Sequence, residues 1–160
     1  MKKLLLSGFI ALSALSAKAQ QIAPYTATEL MERASSPDTC YIINFWATWC
    51  LPCVAELHEF NTLEKKFKGK PVKVLLVSLD FKEDYASGKL EGFVKRKRLA
   101  SQVVWLAETD PNIFIPQIDN SWQGSIPATV MIYSGRNQRR FIEGPITAGK
   151  LKHIAEGWMK

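Results

Sequence analysis

Cys50 and Cys53, separated by Leu51 and Pro52, are the residues whose type and spacing could do chemistry. Two thiols three positions apart at the first turn of a helix can meet as a disulfide, and the unpaired backbone N–H groups there stabilise a thiolate. The same spacing is half of a zinc site, but zinc usually needs a second such pair or two well-spaced histidines. Only Cys40, His58 and His153 remain, and none of them pairs up, so no metal is expected. A permanent structural clamp is the other reading. A disulfide closing so small a loop constrains little of the unfolded chain, which leaves redox exchange as the expectation.

Positioning such a pair requires a strand that ends just before it and a helix that begins at it. Residues Cys40 to Trp46 are β-branched and aromatic without alternation, the pattern of a strand buried on both faces. After Cys53, Leu57, Phe60, Leu63 and Phe67 recur every three or four residues up to Gly69-Lys70-Pro71, giving one amphipathic helix that runs from the thiols to a Gly/Pro break. A short helix over Thr28 to Ala34, capped by Thr26 or Thr28, is expected before the strand and should cover one sheet edge. Val72 to Leu79 reads as a second central strand and Asp80 to Gly88 as polar connection. Leu90, Phe93 and Val94 mark the inner face of a helix ending in Lys95-Arg96-Lys97-Arg98, a basic last turn that suits the helix dipole. Gln102 to Leu106 is a short strand, and Asp110-Pro111 starts a helical turn that Pro116 should cut short. Ala128 to Tyr133 and Gln138 to Ile142 form a hairpin across Ser134-Gly135-Arg136-Asn137. Thr147 caps a last helix whose stripe is Leu151, Ile154, Ala155 and Trp158. The order predicts an α/β fold, a central mixed sheet flanked by helices.

Lys2 and Lys3, an apolar stretch from Leu4 to Leu15 and the small-x-small Ala17-Lys18-Ala19 have the form of an export signal, with cleavage before Gln20. The stretch is shorter than the roughly 20 residues of a membrane-spanning helix. Residues 1–19 are therefore read as a signal peptide, and residues 20–160 as one soluble, exported, periplasmic domain. Removing the signal takes away three Lys and no acid, lowering the formal charge from +6 to +3. So mild a balance gives no reason to expect nucleic acid as a partner.

The stretch Asn44 to Cys53, with Glu56 three positions on and Ile126-Pro127-Ala128-Thr129 much later, resembles the thioredoxin fold and, within it, the extracytoplasmic TlpA/ResA-like thiol-disulfide oxidoreductases. The likeness runs from about Tyr25 to the C-terminus. It implies that Cys50 is the exposed nucleophile and Cys53 the resolving thiol, with Leu51 and Pro52 tuning the pair. It also implies that Pro127 is a cis-proline beside the thiols and that Ile126 lines the substrate groove, where a plain reading makes Ile126 a core residue. Trp46 and Trp49 match aromatic positions flanking the site, and Trp122 could cover the groove near Pro127; core packing alone would also explain any of the three. Expected partners are protein or peptide thiols and disulfides, with a membrane redox partner to recharge the pair and no cofactor.

Two departures from the family pattern stand out. Asn44 replaces the buried Asp of thioredoxins proper and cannot titrate. Glu56 is the candidate substitute, since i, i+3 side chains share a helix face, although an ordinary solvated carboxylate has the same spacing. His58 stands where the family has a helix-kinking Pro and lies about 140° around the helix from Cys53, which reads as a surface residue. Cys40, at the start of a buried strand, is read as a small core residue rather than a third redox thiol. The alternative function is a copper-handling module binding Cu(I) through Cys50 and Cys53, which would call for a third ligand such as a nearby His. The direction of electron flow depends on the reduction potential and the recharging partner, and neither is written in the motif.

Overall fold

The computed structural model describes residues 21–160. The expected signal peptide and its cleavage point lie outside them. Six strands form one sheet: β1 (Ala23–Tyr25), β2 (Cys40–Trp46), β3 (Val72–Ser78), β4 (Gln102–Leu106), β5 (Ala128–Tyr133) and β6 (Gln138–Glu143). Six helices cover it: α1 (Ala27–Ala34), α2 (Leu51–Lys66), α3 (Lys82–Ala86), α4 (Lys89–Lys97), α5 (Pro111–Ile118) and α6 (Ala148–Trp158). The strand order is β1-β4-β3-β2-β5-β6. Pairings from β1 through β2 are parallel, and β5 and β6 run antiparallel to their neighbours. The sheet is mixed and flanked by helices, as the pattern predicts.

β2 lies in the interior of the sheet and every one of its residues is buried. The two-residue period divides its side chains between two cores. Cys40, Ile42 and Trp46 face Leu57, Phe60 and Leu63 of α2, with Leu90 and Val94 of α4 and Leu151 and Ala155 of α6. Tyr41, Ile43 and Phe45 face Ala27, Leu30 and Ala34 of α1 with Phe114 and Ile118 of α5. Burying one Leu or Phe of this kind stabilises the fold by about 1.5–3 kcal/mol relative to leaving it exposed.

Several expectations need correction. α1 packs on a face of the sheet beside α5 and covers no edge, because its apolar residues meet side chains that point out of the sheet plane. It begins one residue early, at Ala27. Thr26 accepts a hydrogen bond from the Glu29 amide and Glu29 returns one to the Thr26 amide, a full capping box. β1 was not expected at all. It is three residues long, contains Pro24, and pairs with β4, some eighty residues further along, at the sheet edge where proline is tolerated. The connection after β3 is partly helical, since α3 fills Lys82–Ala86. Pro116 sits inside α5 without ending it. The carbonyl it deprives of a partner belongs to Asn112, an exposed residue whose backbone water can reach. Trp158 is only half-buried.

Candidate active site

α2 starts where it does because Cys50 is its N-cap. The residue is extended (φ −88°, ψ 98°), its Sγ accepts from the Cys53 amide at 3.3 Å, and Pro52 occupies the first turn, where no N–H is needed. Cys50 and Cys53 are joined as a disulfide with their Cα atoms 5.3 Å apart. Cys53 is wholly buried and Cys50 is 6% exposed. Cys50 is thus the more accessible sulfur but far less open than an exposed nucleophile, because the Ile126 carbonyl stands 3.7 Å from its Sγ. The neighbours are open instead: Trp49 is 52% and Leu51 80% exposed, and Pro52 is exposed.

The Ile126–Pro127 peptide bond is cis. Pro127 is buried and its carbonyl accepts from the Gly144 amide at 2.8 Å. Ile126 is half-buried and touches both cores, so it belongs to the packing as well as to the surface beside Cys50. Trp122 lies beneath this loop, correcting the expectation that it covers the groove. It packs among Phe45, Phe114 and Phe141, and its indole N–H donates to the Ser125 carbonyl at 2.8 Å. Trp46 is fully buried against Phe93, in the same core cluster as Cys50 and Cys53, because it ends an interior strand on the inner face.

Glu56 is 5% exposed, which overturns the solvated reading. One carboxylate oxygen accepts from the Ile146 amide at 2.7 Å and the other from Asn44 Nδ2 at 2.9 Å. Asn44 also donates to Thr129 Oγ1 (3.1 Å) and to the Ala128 carbonyl (3.3 Å), so β2, α2, β5 and the segment before α6 meet at this carboxylate. Burial raises its pKa above the usual carboxylate range, and the Ile146 and Asn44 hydrogen bonds pull part of that back. A cleft lined by Pro52, Ala55, Glu56, Pro145 and Ile146 opens beside α2.

Sequence reasoning missed Asp80, which is 2% exposed. Its carboxylate accepts from the Thr48 amide (3.1 Å), the Thr48 hydroxyl (2.5 Å) and the Ser78 hydroxyl (2.7 Å), and its carbonyl accepts from the Trp105 indole at 2.8 Å. It ties the end of β3 to the loop that carries Trp49 and Cys50. Its only signal is an acid directly after an apolar strand, and nothing in the spacing points to Thr48.

His58 is an exposed residue whose Nδ1 lies 2.8 Å from the Ala55 carbonyl and whose Nε2 lies 3.2 Å from Glu59. His153 is exposed on α6. Among the described residues no group of three or more His, Cys, Asp or Glu is arranged to hold a metal. No described helix is long and apolar enough to cross a membrane.

The AhpC/TSA family profile matches residues 13–114 of the chain. The thiol-disulfide oxidoreductase ResA of Oceanobacillus iheyensis is 49% identical over 39 residues, 24% of this chain and 20% of that protein. ResA of Geobacillus kaustophilus is 30% identical over 115 residues, 71% of this chain and 60% of that protein. The chain thus spans between a fifth and three fifths of the length of these relatives. Among solved structures, StoA of Bacillus subtilis superposes with a TM-score of 0.58 at 23% identity, covering 78% of this chain and 85% of its own. The thioredoxin-related protein of Neisseria meningitidis serogroup B gives 0.64 at 23% identity, covering 78% and 86%. The fold is thioredoxin-like.

Proposed function

The chain belongs to the AhpC/TSA family, and from that membership we propose that it is an exported thiol-disulfide oxidoreductase acting on protein or peptide thiols and disulfides. The observation that carries this reading is the Cys50–Cys53 disulfide at the first turn of α2, with the Ile126 carbonyl beside its outer sulfur. ResA relatives bear the name thiol-disulfide oxidoreductase, which supports it.

In the reduced protein the N-terminus of α2 favours the Cys50 thiolate. That thiolate attacks one sulfur of a partner's disulfide, forming a mixed disulfide and releasing the partner's other sulfur as a thiolate. Cys53 then loses its proton and attacks Cys50, which restores the Cys50–Cys53 bond and frees the partner's second thiolate. Two electrons pass to the partner and two protons follow. The same steps run backwards oxidise a dithiol. Glu56, one helical turn beyond Cys53, is the acceptor for the Cys53 proton. Trp49, Leu51 and Pro52 meet the incoming chain on one side of the sulfurs, and Ile126 and Pro127 on the other. A membrane donor or acceptor recharges the pair, and residues 1–19 direct the chain to the periplasm and are removed before Gln20.

Trapping tests the assignment of roles. Cys53→Ser should accumulate mixed disulfides through Cys50, visible on non-reducing gels of exported protein, while Cys50→Ser should accumulate few. Equal trapping by the two variants would leave the reading without support.

A further inference from the structure

Phe81 is an exposed aromatic residue at a position that ordinarily holds a polar one. It is the N-cap of α3 (φ −62°, ψ 153°), where Ser, Thr, Asp or Asn would bond the first free amides, and its side chain makes no such bond. Nor does it serve the core, being 61% exposed. Among the described residues its one aromatic partner is Trp49, itself 52% exposed, stacked at 5.9 Å between ring centroids and 20° between planes. A residue that forgoes its local role and packs into no core points to a use outside the fold.

The backbone holds both rings in place from behind. Thr48 donates its amide and hydroxyl to the Asp80 carboxylate, and the Leu79 amide donates to the Trp46 carbonyl at 2.8 Å. Trp49 directly follows Thr48 and Phe81 directly follows Asp80, so this part-buried pair sets the two rings side by side next to the nucleophile. The sheet order decides what lies across from them. β3 and β5 flank β2 on opposite sides, and since β5 is antiparallel its first residue lies at the same end as the last of β2 and β3. Phe81 therefore rims Cys50 on the side away from Pro127.

We propose that Phe81, with Trp49, is a specificity-determining site that takes an aromatic or large aliphatic side chain flanking the target cysteine of a polypeptide substrate. The inference rests on the exchange reading given above. A chain whose sulfur reaches Cys50 beside the Ile126 carbonyl continues, on the far side, over the Trp49–Phe81 rings. Those rings offer an exposed apolar face that starts at Trp49, the residue just before Cys50, and a further ring gains stacking as well as burial there.

The test uses the full chain and two disulfide peptides identical except for Phe or Ser beside one cysteine, with hydroxyethyl disulfide as a substrate that has no flank. Wild type should react with the Phe peptide about threefold to tenfold faster than with the Ser peptide. Phe81→Ser should erase that preference, keep the rates on the Ser peptide and hydroxyethyl disulfide, and unfold at an equal or higher denaturant midpoint because a cap is gained. Phe81→Trp should retain the preference. Binding of the Phe peptide with both cysteines replaced by Ser, measured on the oxidised chain by calorimetry, reads the ring site without any exchange. Weaker binding by Phe81→Ser than by wild type is expected there too. A preference that survives Phe81→Ser, or no difference in binding, overturns the site. Failure of wild type to reduce hydroxyethyl disulfide, with ring-dependent binding intact, overturns the oxidoreductase reading and leaves the site standing.

Discussion

At the scale of the residue, Glu56 shows how a buried carboxylate is held. An ionised carboxylate out of water is costly unless donors meet it, and here the Ile146 amide and the Asn44 side chain do so. Glu56→Ala would leave the buried Ile146 amide without an acceptor, at about 1–3 kcal/mol, while Asn44 keeps Thr129 and the Ala128 carbonyl. Glu56→Gln keeps an acceptor and removes the charge, so it separates proton chemistry from packing. The folded-state pKa is raised, so the native protein holds this proton more tightly than the unfolded chain does. That contribution is complete below the ordinary glutamate range and is lost as pH rises through the folded-state value. The stability difference between wild type and Glu56→Gln should therefore change with pH only in that acid-side window, wild type losing ground as pH rises. On the reduced protein, Glu56→Gln should lower the apparent pKa of the thiol pair and slow exchange at neutral pH, since a negative charge near Cys53 disfavours its thiolate and the proton acceptor is gone. Thiolate absorbance against pH, beside rates on a model disulfide, checks both. Superimposed titrations and equal rates would reduce Glu56 to a structural residue. The i, i+3 spacing makes Glu56 visible in sequence as a neighbour of Cys53. Its burial is invisible there, because the amide that seals it lies 90 residues away.

At the scale of the element, the hairpin of β5 and β6 is fastened to the rest of the fold by a backbone contact. The turn is a 3₁₀ segment, Ser134–Arg136, followed by Asn137 in the left-handed region at φ 51°. Gly135 carries no such strain. It is needed because a Cβ there would overlap the carbonyl oxygen of Pro37, in the connection between α1 and β2. Both contacting groups are backbone, so neither can swing aside. Gly135→Ala should lower unfolding stability by about 1–3 kcal/mol, the usual cost of overpacking, with exchange rates unchanged because the turn lies at the end of β5 away from Pro127. Denaturant midpoints and hydroxyethyl disulfide reduction measured on one preparation would check this, and an unchanged midpoint would mean that the two loops separate at no cost. The hairpin itself was legible, as were β4 and the last helix, because period, turn chemistry and caps are local signals. β1 was not, since three residues including a proline make a strand only through a partner far along the chain. α3 was hidden for a related reason: its N-cap is a Phe, the residue type that capping rules pass over. Trp122 stayed open between groove and core because a tryptophan near a motif in sequence can point to either face of the strand or loop that carries it.

At the scale of the whole molecule, one direction organises the fold. α2, α4 and α6 pack on the same core and each follows a strand running parallel to β2, so all three point back against it. Their N-termini gather at the end that holds Cys50 and Cys53 and the basic last turns, Lys65 and Lys66 of α2 with Lys95, Arg96 and Lys97 of α4, at the other. Cys40 opens β2 at that far end, wholly buried and unpaired. Six steps along the strand separate it from Trp46 by about 20 Å, well beyond the roughly 7 Å between Cα atoms that a disulfide can bridge. It is a core residue, and its burial makes it a gauge of global stability. Desolvation pushes its thiol from an ordinary value near 9 up to about 12. In that window the native protein keeps a proton that the unfolded chain has lost, so stability should fall as pH rises from about 9, by at most about 1.4 kcal/mol per pH unit. A Cys40→Ala variant isolates this contribution by comparison, as it should lack this one increment of slope. The measurement is urea unfolding of the oxidised chain between pH 8 and about 11, where Cys50 and Cys53 carry no titrating thiol. With a thiol reagent at neutral pH, Cys40 should react only at the rate set by global opening, its logarithm tracking urea with the slope of the full unfolding transition. Equal alkaline slopes in the two proteins, or labelling of Cys40 that is indifferent to urea, would mean that β2 opens locally at its first residue and that the core beneath α2 does not seal it.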